Sequence, residues 1–443
     1  MEPTLQTRRH FLRTAALGAA AAWTLPVFLE KTFFALDAMA ADALTQAVTG
    51  KDGAILVVLQ LAGGNDGLNT VIPFSDDAYH RARPKIGLAA EKILKLNDHI
   101  GLHGKLTGLK SLYDSGELAI VQGVGYPNPN RSHFRSTEIW QTASDADRNE
   151  NDGWLGRYFD NCCSGADPTV GVAIGEQTPQ AFAAKMPTGV TLSRPEQFRW
   201  RASAGADGKP LSDEESFYRQ LIGAPDETPT GSGANEGNSI ASLPGKIQST
   251  GSTEDFLRRT ALDAQLSSDK IRAIARKYKS NVPYPSSQLG ASLNLIARMI
   301  AGGLATRVYY ASQGGFDTHA GQMNAHDRLM GTLNDALAAF VADLKQQGNY
   351  QRVVLMTFSE FGRRVSENAN NGTDHGTSAP MFLLGGGVKP GLFGQQPSLT
   401  DLDSGDLKFN TDFRNVYASV LEHWLHAPSQ LVLGRKFPTL PIV

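Results

Sequence analysis

Ala54-Ile55-Leu56-Val57-Val58-Leu59-Gln60-Leu61 runs directly into Ala62-Gly63-Gly64-Asn65-Asp66-Gly67. The first stretch is apolar and β-prone almost without interruption, the pattern of a strand covered on both faces in a parallel sheet. Glycine, asparagine and aspartate then end it in a turn. A second run, Leu118-Ala119-Ile120-Val121-Gln122-Gly123-Val124, follows a helical pattern around Leu106 to Tyr113 that Ser115-Gly116 closes. Further strands are expected at Arg307 to Ala311, Val353 to Phe358 and Met381 to Leu384. Between the first two of these, His326 to Gln346 places Leu329, Leu333, Ala336, Leu337, Phe340, Val341 and Leu344 at a helical period, as a crossover helix would. The alternation predicts an α/β fold with a mostly parallel sheet flanked by helices.

Upstream of the first strand, Thr7-Arg8-Arg9-His10-Phe11-Leu12-Arg13 leads into the uncharged stretch Ala15 to Leu29. That run is shorter than the about 20 apolar residues a spanning helix needs, is broken by Pro26 and ends near Ala38-Met39-Ala40. The expectation is a twin-arginine signal over 1–40, cleaved after Ala40, and a single domain over 41–443. The twin-arginine export machinery is then a partner, the destination periplasmic or extracellular, and membrane attachment ends with cleavage. A formal net charge of −2 over 443 residues argues against a nucleic-acid surface. The two cysteines, Cys162 and Cys163, are neighbours and cannot staple distant segments. Residues 223–253 are rich in Gly, Pro and Ser and read as a flexible loop within an insertion or helical cap over about 180–300.

In open parallel sheets ligands bind beyond the carboxyl ends of the strands. Asp66, Ser132-His133, Asp317-Thr318-His319 and Ser359-Glu360 each follow a predicted strand, and Asp374-His375 precedes the last. Carboxylates and imidazoles together suit a divalent cation, with Zn²⁺ accepting both and Mn²⁺, Mg²⁺ or Ca²⁺ favouring oxygen. Ser132 suits either a helix N-cap or a nucleophile placed at positive helix potential, with Ser136 as the competing hydroxyl. Arg131 beside it suits the oxygens of a phosphate or sulfate. A Ser-His-acid hydrolase is less well supported, since no Gly-x-Ser-x-Gly elbow occurs.

Taken in order, Leu61 to Asn69, Asn130-Arg131-Ser132-His133-Phe134, Gly315-Phe316-Asp317-Thr318-His319, Ser359-Glu360-Phe361-Gly362-Arg363 and Thr373-Asp374-His375-Gly376 resemble the alkaline phosphatase and sulfatase superfamily, in particular an uncharacterised branch of twin-arginine-exported bacterial proteins. The resemblance implies an alkaline phosphatase-like fold. It also implies Asp66, Asp317, His319, Glu360 and His375 as ligands to one or two cations and Ser132 as nucleophile; His133 and Asp374, at the same strand ends, are possible additional site residues. Glu360 stands where the superfamily has aspartate followed by histidine, and Phe361 takes the place of that histidine. The expected function is metal-dependent hydrolysis of a small anionic phosphate or sulfate ester; the alternative is a non-catalytic periplasmic binding or assembly protein that keeps the fold.

Overall fold

The computed structural model describes residues 53–163, 168–185, 189–193, 267 and 269–443. The expected signal over 1–40 and the loop over 223–253 lie outside the described residues. The core is a nine-stranded sheet. Its strands are β1 (Ile55–Leu61), β2 (Leu118–Gly125), β3 (Gly171–Ile174), β4 (Val190–Leu192), β5 (Val308–Gln313), β6 (Val353–Phe358), β7 (Ala379–Gly385), β8 (Gly391–Phe393) and β9 (Thr411–Asp412). They lie in the order β8-β2-β7-β6-β1-β5-β3-β4, with β9 also beside β2. Only β7 runs against its neighbours β2 and β6; every other pairing is parallel.

β1 is buried at every position, and its side chains divide by parity. Ile55, Val57, Leu59 and Leu61 join one core with helices α1 (Thr107–Asp114), α4 (Gln288–Ala301) and α5 (Gln322–Gln346). Leu56 and Val58 join the other with α2 (His133–Thr142), α3 (Trp154–Cys162) and α6 (Phe413–Ser419). Each fully buried Leu, Ile or Val contributes about 1.5–3 kcal/mol, so this strand alone anchors both layers. Mixed, mostly parallel and helix-flanked, the sheet has the fold class that the apolar runs predict.

The details differ in places. Residues expected to form an insertion over about 180–300 partly belong to the sheet and its flank: β4 is the edge strand, and α4 lies in the first core. A three-residue strand is too short to register as a period. α5 begins at Gln322, earlier than the apolar pattern, because its first turn buries a polar residue rather than a leucine. Cys162 and Cys163 are bonded to each other at the end of α3. Among the described residues no helix is long and apolar enough to cross a membrane.

Candidate metal centre

Because β7 alone is reversed, the ends of β1, β2, β5 and β6 and the start of β7 share one rim. Gly63 and Gly64 let the loops there meet. Both have positive φ, 118° and 79°. A Cβ on Gly63 would lie 2.5 Å from the amide nitrogen of Asp317, and one on Gly64 would lie 2.3 Å from the Phe361 ring. Only glycine allows that approach.

Three side chains converge at the rim. His133, the first residue of α2, Asp317 after β5 and His375 before β7 each offer one ligand atom, all within 4.8 Å of one another. The orientation of each imidazole follows from its second nitrogen. His375 Nδ1 lies 2.8 Å from the Arg131 carbonyl oxygen, which can only accept, so that nitrogen carries the hydrogen. In the neutral ring its Nε2 lone pair then faces Asp317 Oδ1 at 3.1 Å. His133 Nδ1 likewise faces Glu360 Oε1 at 3.0 Å, and its Nε2 stands 3.5 Å from Asp317 Oδ2. That Nε2 is buried and accepts no hydrogen bond. Lone pairs converging in this way repel unless a proton or a cation lies between them. A His₂Asp set with each imidazole held through its far nitrogen by a carboxylate or carbonyl fits a divalent ion.

His319 adds an adjoining donor, its Nε2 at 2.9 Å from His375 Nε2 and 3.0 Å from Asp317 Oδ1. Its Nδ1 faces Asp374 at 3.4 Å. A hydrogen bond from Asn368 lowers the pKa of Asp374 despite partial burial, with a further contribution from His319. Glu360 is buried, accepts from the Gly63 amide at 2.7 Å and binds His133, so it orients an imidazole. Its second oxygen, Oε2, has no partner.

Two residues to which the sequence reading gave no role shape the centre. Arg363, wholly buried, donates to the carbonyls of Gly63, Gly64, Phe316 and Thr373 and to Asp317 Oδ1 at 2.7 Å. Burial alone would raise the pKa of Asp317, but the hydrogen bond and charge of Arg363, with a hydrogen bond from His375 and the charge of His319 when those rings are protonated, bring it down to about 2. Asp317 is thus a full anion at neutral pH. Phe361 packs its ring against both imidazoles, with centroids 4.9 Å from His133 and 4.5 Å from His375. It closes the centre from behind.

Asp66 is not brought to this set. Its carboxylate is fully buried against Arg83 at 2.6 Å and accepts from Gln322. Burial would raise its pKa, and the charge and hydrogen bond of Arg83 outweigh that and lower it. Nearby His326 is wholly buried, which depresses its pKa to about 4 against the pull of Asp66, so it is neutral. Ser132 is exposed at the N-cap of α2 but makes no cap hydrogen bond, and its neighbour Phe134 is 91% exposed. Ser136 is buried and bound to Tyr126 at 2.7 Å and to the Glu360 carbonyl, which removes it as a free hydroxyl. Arg131 pairs with Asp406 through Nη2, and its side chain is half-exposed.

Set against known families, residues 232–433 match the family model described as a protein of unknown function, DUF1501. That span contains Asp317, His319, Glu360 and His375 but not His133 or Ser132. No curated protein matches the sequence. Among solved structures, the chain is similar to Ps i-CgsB in complex with k-i-k-neocarrahexaose, at 10% identity over 87% of this chain and 73% of that one, TM-score 0.38. It is also similar to an alkaline phosphatase superfamily protein from Vibrio parahaemolyticus, at 8% identity over 79% and 64%, TM-score 0.31. A phosphonate monoester hydrolase from Silicibacter pomeroyi matches at 10% identity over 87% and 77%, TM-score 0.31.

Proposed function

We propose that this chain is an exported, metal-dependent hydrolase of phosphate or sulfate esters. The observation that carries the reading is the convergence of two oriented imidazole lone pairs and an ionised carboxylate beside an exposed serine at a helix start. A bound divalent cation would polarise the ester and ease deprotonation of the attacking hydroxyl. His133, Asp317 and His375 would hold it, with His319 as the adjoining donor.

The remaining chemistry belongs to the chain itself. Glu360 and the Arg131 carbonyl fix the two imidazoles with Nε2 toward the centre, so no reorganisation is needed when an anion arrives. Arg363 keeps Asp317 ionised. Phe361 removes water from behind the rings. Ser132 is the hydroxyl free to attack, since Ser136 is bound on both sides, and the first amides of α2 present positive potential to an anionic group.

Ser132→Ala tests this reading. Because Ser132 makes no cap hydrogen bond, the variant should lose much less than the about 1 kcal/mol of an N-cap, while aryl phosphate or aryl sulfate hydrolysis collapses with cation content intact. Unchanged turnover would remove Ser132 as nucleophile. A wild-type chain that holds its cation and turns over neither ester with Zn²⁺, Mn²⁺, Mg²⁺ or Ca²⁺ would favour the binding or assembly protein. Export is proposed on Arg8-Arg9 and the apolar stretch after them. Replacing both arginines by lysine should hold the protein in the cytoplasm, because the pair is read by a receptor and not as charge; periplasmic accumulation of that variant in cell fractions would refute the route.

A further inference from the structure

Beside the cation centre, a hairpin formed by Leu402–Asp403 and Asp406–Leu407 delivers a single buried carboxylate to the rim. Asp406 is 1% exposed. One of its oxygens accepts from Arg131 Nη2; the other lies 3.4 Å from Arg364 Nε and accepts no hydrogen bond. The two arginine side chains are 42% and 37% exposed. Arg364 lies against the hairpin turn, 3.8 Å from where a Cβ on Gly405 would stand.

Both arginines are tied to the cation centre through their backbones. Arg131 directly precedes Ser132, and its carbonyl orients His375. Arg364 directly follows Arg363, and its amide donates to the Asp374 carbonyl at 3.0 Å. Each guanidinium presents five N–H donors. Among the described residues each side chain has only Asp406 as an ionic partner, so most of those donors face water. Two like charges held side by side by one carboxylate leave a net positive charge and two forks, an arrangement suited to the oxygens of an anion. A purely structural ion triad would not need to leave the forks open at the mouth of a site.

We propose that Arg131 and Arg364, set by Asp406, form a second anion subsite, so that the ester taken by this protein carries another oxyanion on its organic part. This makes Arg364 a specificity-determining residue, and the proposal rests on the hydrolase reading of the adjoining centre. A carboxylate, sulfate or phosphate on the organic group would satisfy it equally, because the shared chemistry is a planar or tetrahedral oxyanion within reach of two guanidinium forks.

The test is calorimetric and needs no turnover. The full chain, with the metal it carries, is titrated with benzenesulfonate and with benzene-1,3-disulfonate. The wild type should bind the disulfonate tighter by about tenfold or more, and Arg364→Gln and Arg131→Gln should each cut that ratio to about twofold. Arg364→Lys should fall between them, since it keeps the charge and loses the fork. Thermal melts of both Gln variants control for folding, which their half-exposed positions favour. A ratio near one in the wild type, or a ratio intact in both Gln variants, overturns the subsite. If the disulfonate preference appears while no aryl ester is hydrolysed with any cation, the subsite stands and the hydrolase reading falls.

Discussion

His375→Ala should release the cation and lower ester hydrolysis by about a thousandfold or more, because a Lewis-acidic ion contributes several kcal/mol and each 1.36 kcal/mol is tenfold in rate. His375 is the cleaner choice than Asp317, since its only backbone-directed bond is to the Arg131 carbonyl. Asp317→Asn would also remove the charged partner of buried Arg363 and confound stability with metal loss. His133→Ala should repeat the His375 result, as its Nε2 is a buried atom at the centre without a partner. Elemental analysis after gel filtration reads the first effect, and an aryl ester assay with re-added ion reads the second. Full cation content in both alanine variants would defeat the centre as drawn.

The second large effect concerns Asp66, for which sequence and structure give opposite forecasts. If Asp66 is a ligand, Asp66→Asn loses metal. The buried pair with Arg83 says otherwise: both side chains have no solvent exposure, and Arg83 also donates to the carbonyls of Val365 and Arg364 and to Asn69. Arg83→Met strands a buried carboxylate and should cost about 3–5 kcal/mol. Combining it with Asp66→Asn should recover part of that loss, since the uncompensated charge goes too. Urea unfolding measures both, and Asp66→Asn should keep its cation. Metal loss in Asp66→Asn with little change in stability would restore the ligand role.

The reason sequence and structure differ over Asp66 is physical. A carboxylate just after a buried strand looks the same in sequence whether a cation or a guanidinium neutralises it, and nothing in the pattern ties Arg83 to it. The rule that polar residues at strand ends line the crevice does locate Asp317, His319, Glu360 and His375 on the rim. It does not say which side chains would hold a cation and which would orient the holders: Glu360 faces His133, and Arg363, quoted within the same motif, turns inward to bind four carbonyls. The long strands are legible because burial on both faces makes them continuous apolar runs. β3, β4, β8 and β9 are four residues or fewer and leave no such trace. The direction of β7 is equally silent, since it depends on an irregular loop and not on the strand's own composition.

That reversal has a consequence for how such a protein can diverge. The chain leaves β6 and enters β7 on the same rim, so residues 359–378 form one uninterrupted segment carrying Glu360, Phe361, Arg363, Arg364, Asp374 and His375. Two parallel neighbours would need a crossover that leaves the rim and returns, splitting these residues between separate segments. Here a single exchange with breakpoints in β6 and β7 would transfer much of the centre and one arm of the guanidinium pair as a cassette, without rethreading the sheet. Chemistry in relatives can therefore be gained, altered or lost by recombination at one place while the scaffold stays the same.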